Sequence, residues 1–173
     1  MTSINVSTEL KQAATRQNVT QLSLARKTFK AHTTVSGYFN KEETPLDAIQ
    51  DLASVLQDST FTHQMAHKTY GTLPVMESET YHETPHALEL LQEKEANERK
   101  ARKNDALMIL CKQDRYLTEQ DKAELRAYVN EFLDEMLIEM KLVLSILDKV
   151  GVSFMQAVKD RTPYWIVQNY LRR

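Results

Sequence analysis

The sequence predicts an all-α protein, and three observations carry that reading. Glycine and proline are scarce, three and four in 173 residues, leaving little material for the many turns of a sheet protein. Apolar residues recur at three- and four-residue spacing through most of the chain. Helix-start signals punctuate it, among them Thr20, Thr44-Pro45 and Thr84-Pro85. The expected organisation is five short helices around one core over residues 1–68, a linker over 69–84, and a helical hairpin or bundle over 85–173.

Ser7 is placed to cap a first helix over 8–17, with Leu10, Ala13 and Ala14 inward, and Asn18 breaks it. Thr20 caps a second helix from Gln21 to about Thr28, and Val19 and Leu24 have the spacing of a hydrophobic staple. A third helix over 32–39 buries Val35, Tyr38 and Phe39. In "TPLD" (44–47), Thr44 is a cap, Pro45 the first helical residue, and Asp47 a favourable charge in the first turn. The stripe Leu46, Ile49, Leu52, Ala53, Leu56 gives the fourth helix one apolar face. Asp58 or Ser59 caps a fifth, carrying Phe61 and Met65.

Residues 69–85, with Gly71, Pro74 and Pro85, lack a sustained period and read as a linker. Helix resumes at Thr84-Pro85 and runs into "EKEANERKARKND" (93–105), where Glu95–Arg99 and Glu98–Arg102 have the favourable i,i+4 order of a solvated helix. Thr118 and Asp121 start a long helix. Leu125, Val129, Phe132, Met136, Met140, Val143 and Leu147 form its apolar stripe, widened by Leu133, Leu137 and Leu144. Such breadth exceeds a two-stranded seam and predicts a face for oligomerisation or a protein partner. Gly151 ends this helix, Ser153 caps a short one, and Thr162-Pro163 opens the last, with Trp165, Ile166, Tyr170 and Leu171.

Net charge is −2, but it is unevenly spread. Residues 1–41 hold six basic side chains against Glu9 alone, a net +5, leaving −7 for the other 132 residues. A basic segment beside an acidic remainder predicts that one part meets an anion. A single cysteine, Cys111, forms no internal disulfide, and "MILCK" suggests an inert core thiol. With no signal core and no apolar run of about 18 residues, the expectation is a cytoplasmic protein without membrane contact. No phosphate-binding glycine loop occurs, and the paired carboxylates read as charged helix faces, so an enzyme and a cofactor are not expected.

One stretch carries chemistry: "TQLSLARKTFKAHTTVSGYFNK" (20–41). Reading a DNA major groove needs two helices at a fixed crossing, a small residue where they meet, apolar anchors behind the reader, and short polar groups outward. Ala25 holds the crossing position and Val35 and Tyr38 anchor the second helix. His32, Thr33, Thr34, Ser36 and Gly37 then point outward, with Lys30, Asn40 and Lys41 at the ends where phosphates pass.

On "TQLSLA", "TTVSGYFN" and "TP" followed by "LDAIQDLASVL", residues 8–62 resemble the lambda-repressor-like (Cro/cI, xenobiotic-response-element type) helix-turn-helix family. The resemblance covers about a third of the chain. It implies a five-helix domain that binds operator double-stranded DNA, usually as a homodimer. It further implies a phosphate contact from Gln21, base-reading positions at His32, Thr33, Thr34 and Gly37, and backbone contacts from Asn40 and Lys41. The turn departs from the family: Phe29 stands where a glycine supplies the left-handed conformation, and Ala31 replaces a serine cap, so that His32 or Thr33 is expected to cap instead. With no outward arginine, the face suits thymine methyls and phosphates better than guanine.

Two weaker patterns have plain explanations. His63/His67 and His82/His86 have metal-ligand spacing, but Pro85 interrupts the second pair, and polar-face histidines are expected rather than a metal site. "DKVGVSFMQAV" (148–158) imitates a second such motif, with Leu147 at the crossing position, and reads as a glycine cap between two helices. The functional expectation is a transcriptional regulator, a repressor of the phage or mobile-element type, whose C-terminal domain dimerises it or binds a regulatory protein. The alternative is an adaptor or inhibitor that keeps the fold and acts through its C-terminal helices.

Overall fold

Asn5, not Ser7, organises the start of the first helix. In the computed structural model, which describes residues 3–172, the Asn5 side-chain oxygen accepts from the Ser7 amide at 3.1 Å and from its hydroxyl. Ser7 is thereby drawn inside as the first residue of α1 (Ser7–Arg16). Thr20 caps α2 (Gln21–Lys27), its hydroxyl accepting from the Ser23 amide at 3.2 Å. A tight turn leads to α3 (His32–Phe39). Thr44 does not cap the next helix. It pairs opposite Ile4, where β1 (Ser3–Ile4) meets β2 (Thr44–Pro45) antiparallel, and is fully buried there. The helix therefore begins one residue past Pro45, as α4 (Leu46–Leu56), and α5 (Ser59–Tyr70) follows with Asp58 as its cap. The remaining α-helices are α6 (Pro85–Leu110), α7 (Glu119–Val150) and α8 (Phe154–Val167).

The chain divides into two units, Met1–Pro74 with Leu147–Arg173, and Val75–Ile146. In the first, the apolar faces of α1 to α5 meet in one cluster, with Val6, Leu10, Leu24, Val35, Leu52 and Phe61 fully buried. Each such side chain contributes about 1.5–3 kcal/mol on leaving water. Residues 147–173, expected in one domain with 85–146, belong to this unit instead. Polar caps hold them: Ser153 donates to the Gln57 side chain at 2.6 Å, and the Phe154 amide donates to the Ser59 hydroxyl at 2.9 Å. α8 is continuous through Pro163, where a helix start was expected. Proline lacks the amide that would bond the Lys159 carbonyl, and one residue earlier the Thr162 hydroxyl donates to the Val158 carbonyl at 2.8 Å.

The second unit is an antiparallel hairpin of α6 and the part of α7 up to Ile146, joined through a 3-10 turn at Asp114–Tyr116. Thr118 and Asp121 form a reciprocal capping box at the start of α7. Arg99 and Arg102 do not pair along α6 with Glu95 and Glu98. They reach across to α7, Arg99 to Glu135 and Arg102 to Glu131 at 2.8 Å, while Gln92 also binds Glu135. Lys112–Asp121 and Lys141–Glu83, both 2.7 Å, extend the pattern along the unit. Cys111 caps the end of α6 and is exposed, not a core thiol, because the helix stops before its side chain can turn inward. Of the apolar stripe on α7, Leu144 is buried and Leu125, Leu137, Met140 and Leu147 are half-buried, whereas Val129, Phe132, Leu133, Met136 and Val143 are 38–52% exposed. None of the described helices is long and apolar enough to cross a membrane.

Candidate nucleic-acid interface

Four helix ends in the first unit close in the same way, and the one between α2 and α3 differs in a single residue. At each end a residue just past the helix takes positive φ, and the amide after it returns to a carbonyl five residues back, satisfying an orphan acceptor of the last turn. The pairs are Val19 to Ala14, Lys30 to Ala25 at 3.0 Å, Val152 to Leu147, and Tyr170 to Trp165. The left-handed residues are Asn18, Phe29, Gly151 and Asn169, of which the asparagines and the glycine are the residue types such turns favour. Phe29 is not, yet it holds φ +54 and its ring is 98% exposed. The turn thus keeps its geometry without glycine, the strain of a non-glycine residue costing about 1–2 kcal/mol.

This turn sets α3 against α2 with Ala25 buried beside it and Val35, Tyr38 and Phe39 facing the core. The Thr28 hydroxyl, buried at the same corner, donates to the Leu24 carbonyl at 2.7 Å. What remains outward on α3 is His32, Thr33 and Thr34, all exposed, and Ser36, half-exposed. Asn40 is exposed, its amide nitrogen 3.4 Å from the Ser36 hydroxyl. Lys41 is exposed at φ +72, and its carbonyl accepts from the Asn5 side chain at 2.8 Å. Ala31 is the cap residue of α3 and no side chain takes over that role, so neither His32 nor Thr33 folds back as expected. The first-turn amides stay open beside these side chains.

Two of the expected contact residues are placed elsewhere. Gly37 is buried, and the Glu42 carboxylate fills the space in which a Cβ would stand, so Gly37 presents nothing outward. Lys30 is drawn to α4, where Asp51 binds its ammonium at 2.8 Å; that hydrogen bond raises the lysine pKa against the opposing effect of burial. Gln21 is half-buried and opens onto a shallow hollow of about 480 Å³ lined by Lys11, Thr15, Asn18, Thr20 and Phe39. The resulting face is short, polar and modestly basic. Sequence spacing could place Gly37 on α3 and Lys30 in the turn before it, but Asp51 and Glu42 come from later segments whose approach only the fold decides.

Behind this face the unit is locked by Asp58. Arg16 binds it through two nitrogens at 2.8 and 2.9 Å, Gln17 adds a third bond, and the Phe61 amide donates at 2.7 Å. Burial pushes the Asp58 carboxyl up, but the Arg16 and Phe61 hydrogen bonds outweigh it and hold the pKa below its ordinary value. The histidines of α5 have partners as well: His63 bonds the Leu73 carbonyl at 2.8 Å and His67 the Thr72 carbonyl. In the second unit Glu95, Glu98 and Glu131 cluster, but Lys94 and Arg102 already bind them.

Charge separates by unit. Met1–Pro74 with Leu147–Arg173 holds 12 basic and 8 acidic side chains, a net +4, whereas Val75–Ile146 holds 10 and 16, a net −6. Comparison with protein-family models, characterised proteins and solved structures returned no match to this chain.

Proposed function

We propose that the first unit is a helix-turn-helix reader of double-stranded DNA and that the protein is a transcriptional regulator. It docks as a dimer on an operator and represses by occupying it. The supporting observation is the α2–turn–α3 arrangement: a small buried residue at the crossing, a core-anchored second helix, and four short polar side chains left outward on it. His32, Thr33, Thr34 and Ser36 face base edges in this reading, and Gln21, Asn40 and Lys41 take flanking phosphates. Gly37 and Lys30 are not part of it, being covered by Glu42 and bound by Asp51.

Selection of the purified protein against random duplex DNA tests this. A recurrent site with two related halves is expected, weakened when Thr33 and Thr34 become Ala. Lys41→Ala should lower affinity across sequences and reduce the salt slope by about 1. Absence of any binding at low salt would sink the reading. A second reading, an adaptor that acts by protein contact, is favoured by Phe29, whose ring is almost wholly in solvent. The two part on salt: phosphate-driven binding weakens steeply as salt rises, and an apolar interface does not.

A further inference from the structure

We infer that Glu42 supplies the base contact that Gly37 cannot, its carboxylate accepting a hydrogen bond from the amino group of a cytosine in the major groove. The inference deepens the proposed reading of DNA and rests on it. On α3 the buried anchors are Val35, Tyr38 and Phe39. Gly37 lies roughly 150° round the helix from their mean direction and one turn beyond Thr33, so by position it belongs to the outward face. It is buried there all the same, and the three atoms its missing Cβ would meet first are the carboxyl carbon and both oxygens of Glu42.

The turn after α3 puts the carboxylate there. Lys41 takes φ +72, and the Glu42 amide donates back to the Gly37 carbonyl at 3.1 Å. Such a turn lays the residue after the left-handed one against the residue that accepts its amide, commonly through an apolar contact. Here the pair is a carboxylate and a glycine, and the absence of a side chain at Gly37 leaves the room. Glu43 accepts from the Ser3 hydroxyl and Asp51 binds Lys30, but among the described residues nothing donates to the Glu42 side chain. A free acceptor is thus carried on the face that also holds His32, Thr33, Thr34 and Ser36. In the major groove a carboxylate can only accept. Guanine and thymine offer it no donor, and adenine sets the N7 acceptor beside its amino group. Cytosine, whose edge presents the N4 donor alone, is the base it fits.

Selection of the full chain, Glu42→Gln and Gly37→Ala against one random duplex pool tests the inference. The wild-type half-site should contain a C·G pair whose replacement weakens binding at least about fivefold. Glu42→Gln should change that preference to an A·T pair, because an amide both donates and accepts as the adenine edge requires, and should leave the other positions alone. In Gly37→Ala the new methyl group displaces the carboxyl, the far end of a flexible side chain, so the cytosine preference should fade with Glu42 still present. Both variants should keep wild-type helicity, Glu42 being exposed and alanine the better helix former. A half-site without a C·G pair, or one whose every preference survives both substitutions, overturns the inference and leaves the proposed function standing. Uniformly tighter binding by Glu42→Gln with an unaltered site does the same, since the carboxylate then only repels phosphates. A chain that binds no DNA at low salt removes the function and the inference together.

Discussion

The first unit gathers sixteen buried apolar residues into a single cluster, whereas the hairpin of residues 75–146 buries only Leu88, Ala96, Ala106, Ile109, Leu142 and Leu144. The hairpin is joined instead by charge pairs across its two helices. Burial is non-directional and cumulative, so it tolerates the loss of any one polar contact; paired charges at a solvent-washed seam are individually weak. The difference suggests a division of labour, a self-sufficient domain beside a pair of helices whose apolar surface is not yet spent.

Core truncation should separate the two most clearly. Phe61→Ala removes a fully buried ring from the first unit and should cost about 3–5 kcal/mol in denaturant unfolding. Leu144→Ala in the hairpin should cost nearer 2 kcal/mol, because a unit with so few buried apolar residues can close around a smaller loss of volume. Equal losses would erase the contrast. Acid comes next. The folded Asp58 pKa is depressed, so its contribution is complete above the ordinary carboxylate pKa of about 4 and is lost as pH falls through the folded value. Asp121, held to about 2 by Lys112 and the Thr118 amide and hydroxyl, gives the hairpin a dependence of the same sign, lost as pH falls towards that value. Asp58→Ala also removes a helix cap and the Arg16–Asp58 ion pair, and should cost about 2–3 kcal/mol at neutral pH with a flattened acid limb. A wild-type acid limb in that variant would refute the assignment. The smallest effect sharpens the first unit alone. Phe29→Gly should stabilise by about 0.5–1 kcal/mol in thermal unfolding, relieving the left-handed strain while giving up little packing.

The helical class and the helix cores were legible because three- and four-residue spacing is a local property. Leu10, Leu24, Val35, Leu52 and Phe61 are all buried as their periodicity requires. Caps were harder. Thr20, Asp58, Thr84 and Ser153 act as expected. Ser7 and Thr44 do not, since each was claimed by a partner from outside its own turn, Asn5 and the β1 strand. The outward residues of α3 followed from the helix period, but Gly37 and Lys30 were reassigned by acidic side chains from later segments. The apolar period of α7 was legible, but what lies opposite the stripe was not, because periodicity says which residues share a face and not what covers it.

The opposite charges of the two units mean that the sequence pI of about 6.2 describes an average that no part of the surface displays. In an electric field the chain drifts as a weak anion, yet a polyanion meets a basic unit and a polycation an acidic one. Adsorption to a charged matrix is then decided by orientation rather than by net valence, and one molecule can be retained by ion exchangers of either sign.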